Sequence, residues 1–112
     1  IKKKVMFRIL TTAEFDIDFI NLDNSEQLRA KKKRELLKAQ GHVTGDPLAG
    51  LSFFREKRLN GKRIYYVVYQ QYAAILLLAI SDKKTQQATI NRILINLTNY
   101  QQYVEETLEK NK

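Results

Sequence analysis

The spacing of apolar residues changes period several times along this chain, and the changes divide it into elements. Residues Val5 to Leu10 are β-prone and alternate weakly, which predicts a first strand. Between Thr12 and Leu22, Phe15, Phe19 and Leu22 recur at helical spacing, although the stretch FDIDFI alternates as a strand would. Thr11, Thr12 and the early Glu14 and Asp16 suit a helix N-terminus, so this segment reads as a helix. Asp23 and Glu26 have the spacing of a capping box, which opens a second helix, and Gly41 supplies its stop. Leu28, Leu36 and Leu37 form a thin apolar stripe beside the run Lys31 to Arg34, so this helix is expected to be half exposed. Gly41 to Gly50, with the chain's single proline Pro47, reads as a loop.

Asn60-Gly61 is a strong hairpin signal, because a type I′ turn needs positive φ at both central residues and these two tolerate it best. A two-residue loop pairs Leu59 with Lys62 and Arg58 with Arg63. The next strands, Ile64 to Tyr69 and Ala73 to Ile80, meet at Gln70-Gln71, and the second is apolar on both faces, so it is expected to be covered on both. An antiparallel arrangement is the simplest, since a parallel pair needs a long crossover. From about Thr85 a last helix carries Ile90, Ile93, Leu94, Leu97, Val104 and Leu108 on one face, with Tyr100 nearby and a bend expected near Asn99. Together these elements predict an α+β fold: a small antiparallel β-sheet packed with two N-terminal helices and a C-terminal helix.

Length and charge narrow the function. At 112 residues, with no linker, repeat or low-complexity tract, a single domain over residues 1–112 is expected. A formal charge of +8 suits an acidic partner such as nucleic acid, an anionic membrane or an acidic protein. The absence of cysteine removes disulfides, thiol nucleophiles and thiolate metal sites, and fits a reducing cytoplasm. His42 is the single histidine, and a loop residue of this kind is ordinarily a surface group. No carboxylate cluster has metal-ligand spacing, so neither metal nor other cofactor is expected. The longest apolar run, Tyr72 to Ile80, is far short of the about 20 residues that cross a bilayer, and no secretory signal is visible.

What remains for chemistry is cationic. Alternation puts Arg58 and Arg63 on one face of the hairpin with Glu56 and Tyr65, and Arg55, Lys57 and Lys62 on the other with Ile64 and Tyr66. Two adjacent guanidinium groups repel unless an anion joins them, and arginine forks hold phosphate oxygens in pairs. Lys83 and Lys84, just past the central strand, add positive charge or exchange protons, and Tyr65, Tyr66 and Tyr69 are of the type that stacks unpaired bases. Lys32 and Lys33, within the helical run, extend the surface available to RNA. Each feature also has a plainer role: cations on a hairpin block strand-to-strand aggregation, tyrosines fill cores, a charged helix run faces water, and Glu56 is an ion-pair partner.

The order of elements, with FREKRLNGKRIYYVVY followed by ILLLAISDKKTQQ and the early Thr11-Thr12-Ala13-Glu14-Phe15-Asp16-Ile17-Asp18-Phe19, resembles the RelE/ParE/HigB superfamily of type II toxin-antitoxin toxins. The resemblance runs from about Val5 to Leu97. It implies a cytoplasmic toxin neutralised by a cognate antitoxin, through which it oligomerises. In the RelE and HigB branches it implies a ribosome-dependent mRNA endonuclease, in which the substrate 2′-hydroxyl attacks the phosphodiester without metal. Carried over residue by residue, Arg63 matches the phosphate-binding arginine after the turn, Lys84 or Lys83 the basic residue after the last strand, and Arg58 a basic residue on the preceding strand. The tyrosine that the RelE branch has early in the terminal helix is missing from Gln86-Gln87-Ala88-Thr89-Ile90, which leaves Glu56, Lys83, Lys84 or Tyr65 to move protons. The alternatives are a ParE-like DNA gyrase poison and a non-catalytic RNA-binding or antitoxin-binding relative.

Overall fold

The computed structural model describes residues 6–41 and 44–110, so the expectations for Val5 and His42 lie outside the described residues. Strand β1 (Arg8–Thr11) is followed by helices α1 (Ala13–Ile20) and α2 (Asn24–Gln40), then β2 (Asp46–Leu48), β3 (Leu51–Leu59) and β4 (Lys62–Tyr69). A 3-10 turn (Gln70–Tyr72) leads into β5 (Ala74–Asp82), and α3 (Gln86–Ile95) and α4 (Leu97–Lys110) follow. The five strands form one sheet in the order β1-β5-β4-β3-β2.

Both early helices begin where the sequence predicts. Thr12 caps α1, its hydroxyl oxygen accepting from the Phe15 amide at 3.0 Å. Asp23 and Glu26 form the capping box, with bonds of 2.7 Å from the Glu26 amide to Asp23 and 3.0 Å from the Asp23 amide to Glu26. The apolar stripe of α2 differs from expectation: Ala30 and Leu37 are buried, whereas Leu28 is exposed, because the helix rests on the sheet through the 30/37 side. Gly41 ends α2 at φ 58° and ψ −126°, and a Cβ there would lie 2.1 Å from the Phe7 ring.

The hairpin closes as predicted, with Asn60 at φ 47° and Gly61 at φ 90° and with Arg58 opposite Arg63. Three other features depart from the sequence reading. First, β1 lies parallel to β5, so the sheet is mixed; the 62 residues from Thr12 to Ala73 easily supply the crossover that a parallel pair demands. Second, the expected loop contains β2, which pairs with β3 across Ala49-Gly50, both at positive φ. Pro47 is tolerated there because β2 is an edge strand. Third, the C-terminal helix breaks at Asn96, three residues before the expected bend, where the Asn96 side chain donates to the Arg92 carbonyl at 2.9 Å.

Helices cover both faces of the sheet. On one face, α1 and α2 bury Phe15, Leu37, Leu59, Ile64, Tyr66 and Leu77; on the other, α3 and α4 bury Phe54, Tyr65, Val67, Leu76, Leu78 and Ile93. A β-bulge decides which residues go where. Tyr65 pairs with Ala79 but Tyr66 pairs with Leu77, so Leu78 is extra and the facing of β5 inverts beyond it. Helix α1 supplies partners for the irregular stretch: the Thr12 hydroxyl donates to the Leu78 carbonyl at 2.8 Å, and the Asp18 carboxylate accepts from the Ile80 amide at 2.9 Å.

Two outcomes follow from this packing. Gly41→Ala loses about 2–4 kcal/mol, because the new methyl meets the Phe7 ring in a backbone conformation reserved for glycine; a lower urea midpoint at unchanged m-value is the readout. Burial pushes the Tyr69 hydroxyl up from 10.0 to about 12, so its contribution to folding is complete below pH 10 and lost as pH rises through about 12. Stability there falls by about 1.4 kcal/mol per pH unit on account of this residue, and Tyr69→Phe flattens the alkaline limb by that amount in denaturation measured between those pH values.

Candidate functional site

The hairpin end of the sheet, on the face covered by α3, gathers the polar residues that the sequence singles out. Two rows run across β3, β4 and β5: Arg58, Arg63 and Ser81, then Glu56, Tyr65 and Ala79. Ser81 joins this face because the bulge at Leu78 inverts the facing of the strand's last residues. Two diagonal contacts tie the rows together. The Arg63 guanidinium donates to Glu56 Oε1 in an ion pair, and the Tyr65 hydroxyl shares a 2.7 Å hydrogen bond with Ser81 Oγ.

These contacts give the two arginines different characters. Glu56 is only 5% exposed, and its Oε2 is buried without a hydrogen-bond partner among the described residues. An ionised carboxylate so placed is costly unless paired, which holds the Arg63 head group against it. Arg63 keeps 23% of its side chain exposed, so the guanidinium is anchored yet reachable. Arg58 is exposed and has no hydrogen-bond or ion-pair partner among the described residues. The internal carboxylate therefore supplies the anion that two adjacent arginines call for, and it satisfies one of them.

Past β5, Asp82 holds the next turn by accepting from the Thr85 amide and hydroxyl, both at 3.0 Å. The Thr85 amide, followed by its hydroxyl, keeps the Asp82 carboxyl below the usual range. Lys83 and Lys84 ride on this turn and are both exposed. They follow Ser81, the β5 partner of Arg63, by two and three residues, so turn and arginine occupy the same end of the sheet.

Other expected site residues are placed differently. Tyr65 is fully buried, so its ring has no face for a base, and burial pushes its hydroxyl up. Tyr66 is equally enclosed, its hydroxyl donating to the Thr44 carbonyl at 2.7 Å, and Tyr69 is 7% exposed. All three are core residues rather than stacking platforms. Arg55 clips β2 to the sheet by donating to the carbonyls of Thr44, Gly45 and Ser52 at 2.9, 3.0 and 2.9 Å, which leaves few of its donors for RNA. Lys62 pairs with Glu26 of α2 at 3.2 Å.

Lys57 lies on the α2 side, and burial, then the nearby charge of Lys33, lowers its ammonium below the ordinary value. Lys32 is exposed on α2. Sequence reasoning missed Ser81, because no pattern in ILLLAIS marks the bulge that brings it to the site.

Among the described residues no group of three His, Cys, Asp or Glu side chains is arranged to hold a metal ion. None of their helices is long and apolar enough to cross a membrane.

No protein-family model matches the sequence, and no curated protein is similar to it at the sequence level. Solved structures match it in architecture. Isolated E. coli RelE toxin superposes with a TM-score of 0.62 at 14% identity, covering 78% of this chain and 98% of that one. The toxin-antitoxin complex RelBE of E. coli gives 0.62 at 14% identity over 68% of this chain and 95% of that one. The archaeal RelE–RelB complex of Pyrococcus horikoshii gives 0.60 at 17% identity over 70% and 96%. The chain thus has an α+β fold, and the particular fold is that of RelE.

The asymmetry of the arginines is measurable. Glu56→Gln strands the Arg63 charge over a buried amide and costs about 1–3 kcal/mol. Arg58→Ala changes stability by no more than about 0.5 kcal/mol. Urea unfolding of both variants beside the wild type checks the contrast.

Proposed function

We propose that this chain is the toxin of a type II toxin-antitoxin system and that it cuts mRNA on the ribosome, the substrate 2′-hydroxyl attacking the adjacent phosphodiester without a metal ion. The RelE fold supports the toxin reading. The observation that carries the chemistry is Arg63, partly exposed beside Arg58 and held from beneath by the buried Glu56. In such a reaction negative charge accumulates on the non-bridging phosphate oxygens. A guanidinium already locked in place stabilises that charge without reorganising at the moment of reaction.

The roles divide accordingly. Arg63 and Arg58 grip the scissile phosphate; as the 2′-oxygen bonds to phosphorus and the bond to the leaving 5′-oxygen breaks, water takes the 2′-hydroxyl proton and Lys83 or Lys84 on the neighbouring turn passes one to the leaving oxygen. Glu56 is a positioning residue: one oxygen is engaged by Arg63 and the other has no exposed surface, so it acts through the arginine rather than on the substrate. Lys57, with Lys32 and Lys33 of α2, lies toward the other side of the hairpin, where it suits flanking phosphates.

A second reading has its own observation. Glu56 and Tyr65 are both buried and the first turn of α3 has no tyrosine, which leaves the two turn lysines as the exposed proton carriers beside the arginines. A protein that binds without cutting, or a ParE-like gyrase poison, needs no such group.

Expression of the wild type arrests growth and produces new transcript 5′ ends. Arg63→Ala lowers cutting about 100-fold or more, the scale for removing one donor that stabilises transition-state charge. Cutting undiminished in that variant removes Arg63 from the mechanism. Growth arrest with intact transcripts and inhibited supercoiling assigns the chain to the gyrase-poison branch instead.

A further inference from the structure

Strand β1 ends at Thr11, opposite Leu77, so the last residues of β5 have no strand on that side. Past the bulge, the Ile80 amide donates to the Asp18 carboxylate at 2.9 Å, which fixes the direction of the backbone there. Alternate residues of an antiparallel strand turn their backbone groups to the same side, so the Ile80 carbonyl and the Asp82 amide also point away from β4. Outside the β4–β5 ladder neither makes a hydrogen bond among the described residues. They border a cavity of ≈ 200 Å³ whose lining includes Asp18, Leu22, Lys62 and Thr85.

Three groups follow one another along this edge: the Asp18 carboxylate and the Ile80 carbonyl accept, and the Asp82 amide donates. The carbonyl and amide match the adjacent donor and acceptor on the edge of a nucleobase, and Leu22 and Ile80 offer apolar surface to its ring. The chain ties this cavity to the hairpin site. Lys62 precedes Arg63, and Asp82 and Thr85 bracket Lys83 and Lys84, so a nucleotide joined to a phosphate at Arg63 has the cavity beside it. Asp18 supports the bulge, but that task alone needs no open carbonyl and amide alongside. A polypeptide strand would find a single such pair before β5 ends at Asp82, with the Asp18 carboxylate already in the next position of the ladder.

We propose that this cavity reads one base of the RNA beside the scissile phosphate, taking adenine, cytosine or guanine and rejecting uracil. In adenine and cytosine the amino hydrogens go to Asp18 and Ile80, and the adjacent ring nitrogen accepts from the Asp82 amide. Guanine supplies the same order through its amino group, its ring N–H and its carbonyl. Uracil carries one N–H between two carbonyls, so when that hydrogen meets Ile80 a carbonyl is forced against the Asp18 carboxylate. Asp18 is thus the residue that sets specificity. The inference deepens the RNA-cleavage reading and rests on it for the identity of the ligand.

The test measures binding rather than cutting. Labelled five-residue 2′-O-methyl RNAs, uncleavable because the nucleophile is blocked, carry adenine, cytosine, guanine or uracil at the centre and uracil elsewhere. Fluorescence anisotropy with the full chain gives their affinities. The all-uracil strand binds at least about fivefold more weakly than the other three, the scale of one lost base contact. Asp18→Asn shrinks the difference to less than about twofold, because asparagine still accepts from the Ile80 amide while offering an N–H to the uracil carbonyl. Asp16→Asn, the same charge change elsewhere on α1, preserves it. Unsubstituted purine in place of adenine lacks only the amino group, and that strand binds as weakly as the all-uracil one. Equal affinities of the four strands, discrimination that survives Asp18→Asn, full affinity of the purine strand, or no measurable binding of any strand overturns the proposal. Selective binding by a chain that leaves transcripts intact refutes the cutting reading and keeps the base site, whereas Arg63-dependent cutting without discrimination in these affinities does the reverse.

Discussion

Everything in this molecule depends on β4 and β5 being covered from both sides. A strand enclosed by helices on both faces has room for polar groups only at its ends, so chemistry is confined to where β4 and β5 leave the core. The bulge at Leu78 then sets what stands there. It places Ile80 with Ile64 on the α1 side and Ser81 beside Arg63 on the α3 side, while the Thr12 hydroxyl and the Asp18 carboxylate bond the backbone of the irregular stretch. The early segment TTAEFDIDF is thus a structural support for β5 as well as a helix.

The cationic patch at the hairpin is built from a buried carboxylate outward. Glu56 gives Arg63 a fixed position without neutralising the whole patch, since Arg58, Lys83 and Lys84 remain exposed. An arginine held this way loses little freedom on binding a phosphate, whereas Arg58 must be ordered by the ligand itself. The pair therefore combines a rigid contact with an adaptable one.

The basic run on α2 serves two surfaces. Lys33 approaches Lys57 on the hairpin side, and Lys31, Arg34 and Lys38 face the open edge of β1. A single helix thereby contributes cations to two separate surfaces.

Local rules settled a good deal of this. The Asn60-Gly61 turn allows one register, the capping box at Asp23 and the stop at Gly41 bound α2, and alternation alone puts Arg58, Arg63, Glu56 and Tyr65 on one face, because each depends on backbone preferences within a few residues. Tertiary structure decided whatever required distant partners. Strand β2 exists because Arg55 and Tyr66 bind the carbonyls at its start; β1 is parallel because β5 offers the available edge. The bulge is invisible in ILLLAIS because a strand apolar on both faces shows no break in alternation when its facing inverts. For the same reason the burial of Tyr65, the presence of Ser81 beside it and the split of the α2 cations between two surfaces emerged only when the two helical layers closed over the sheet.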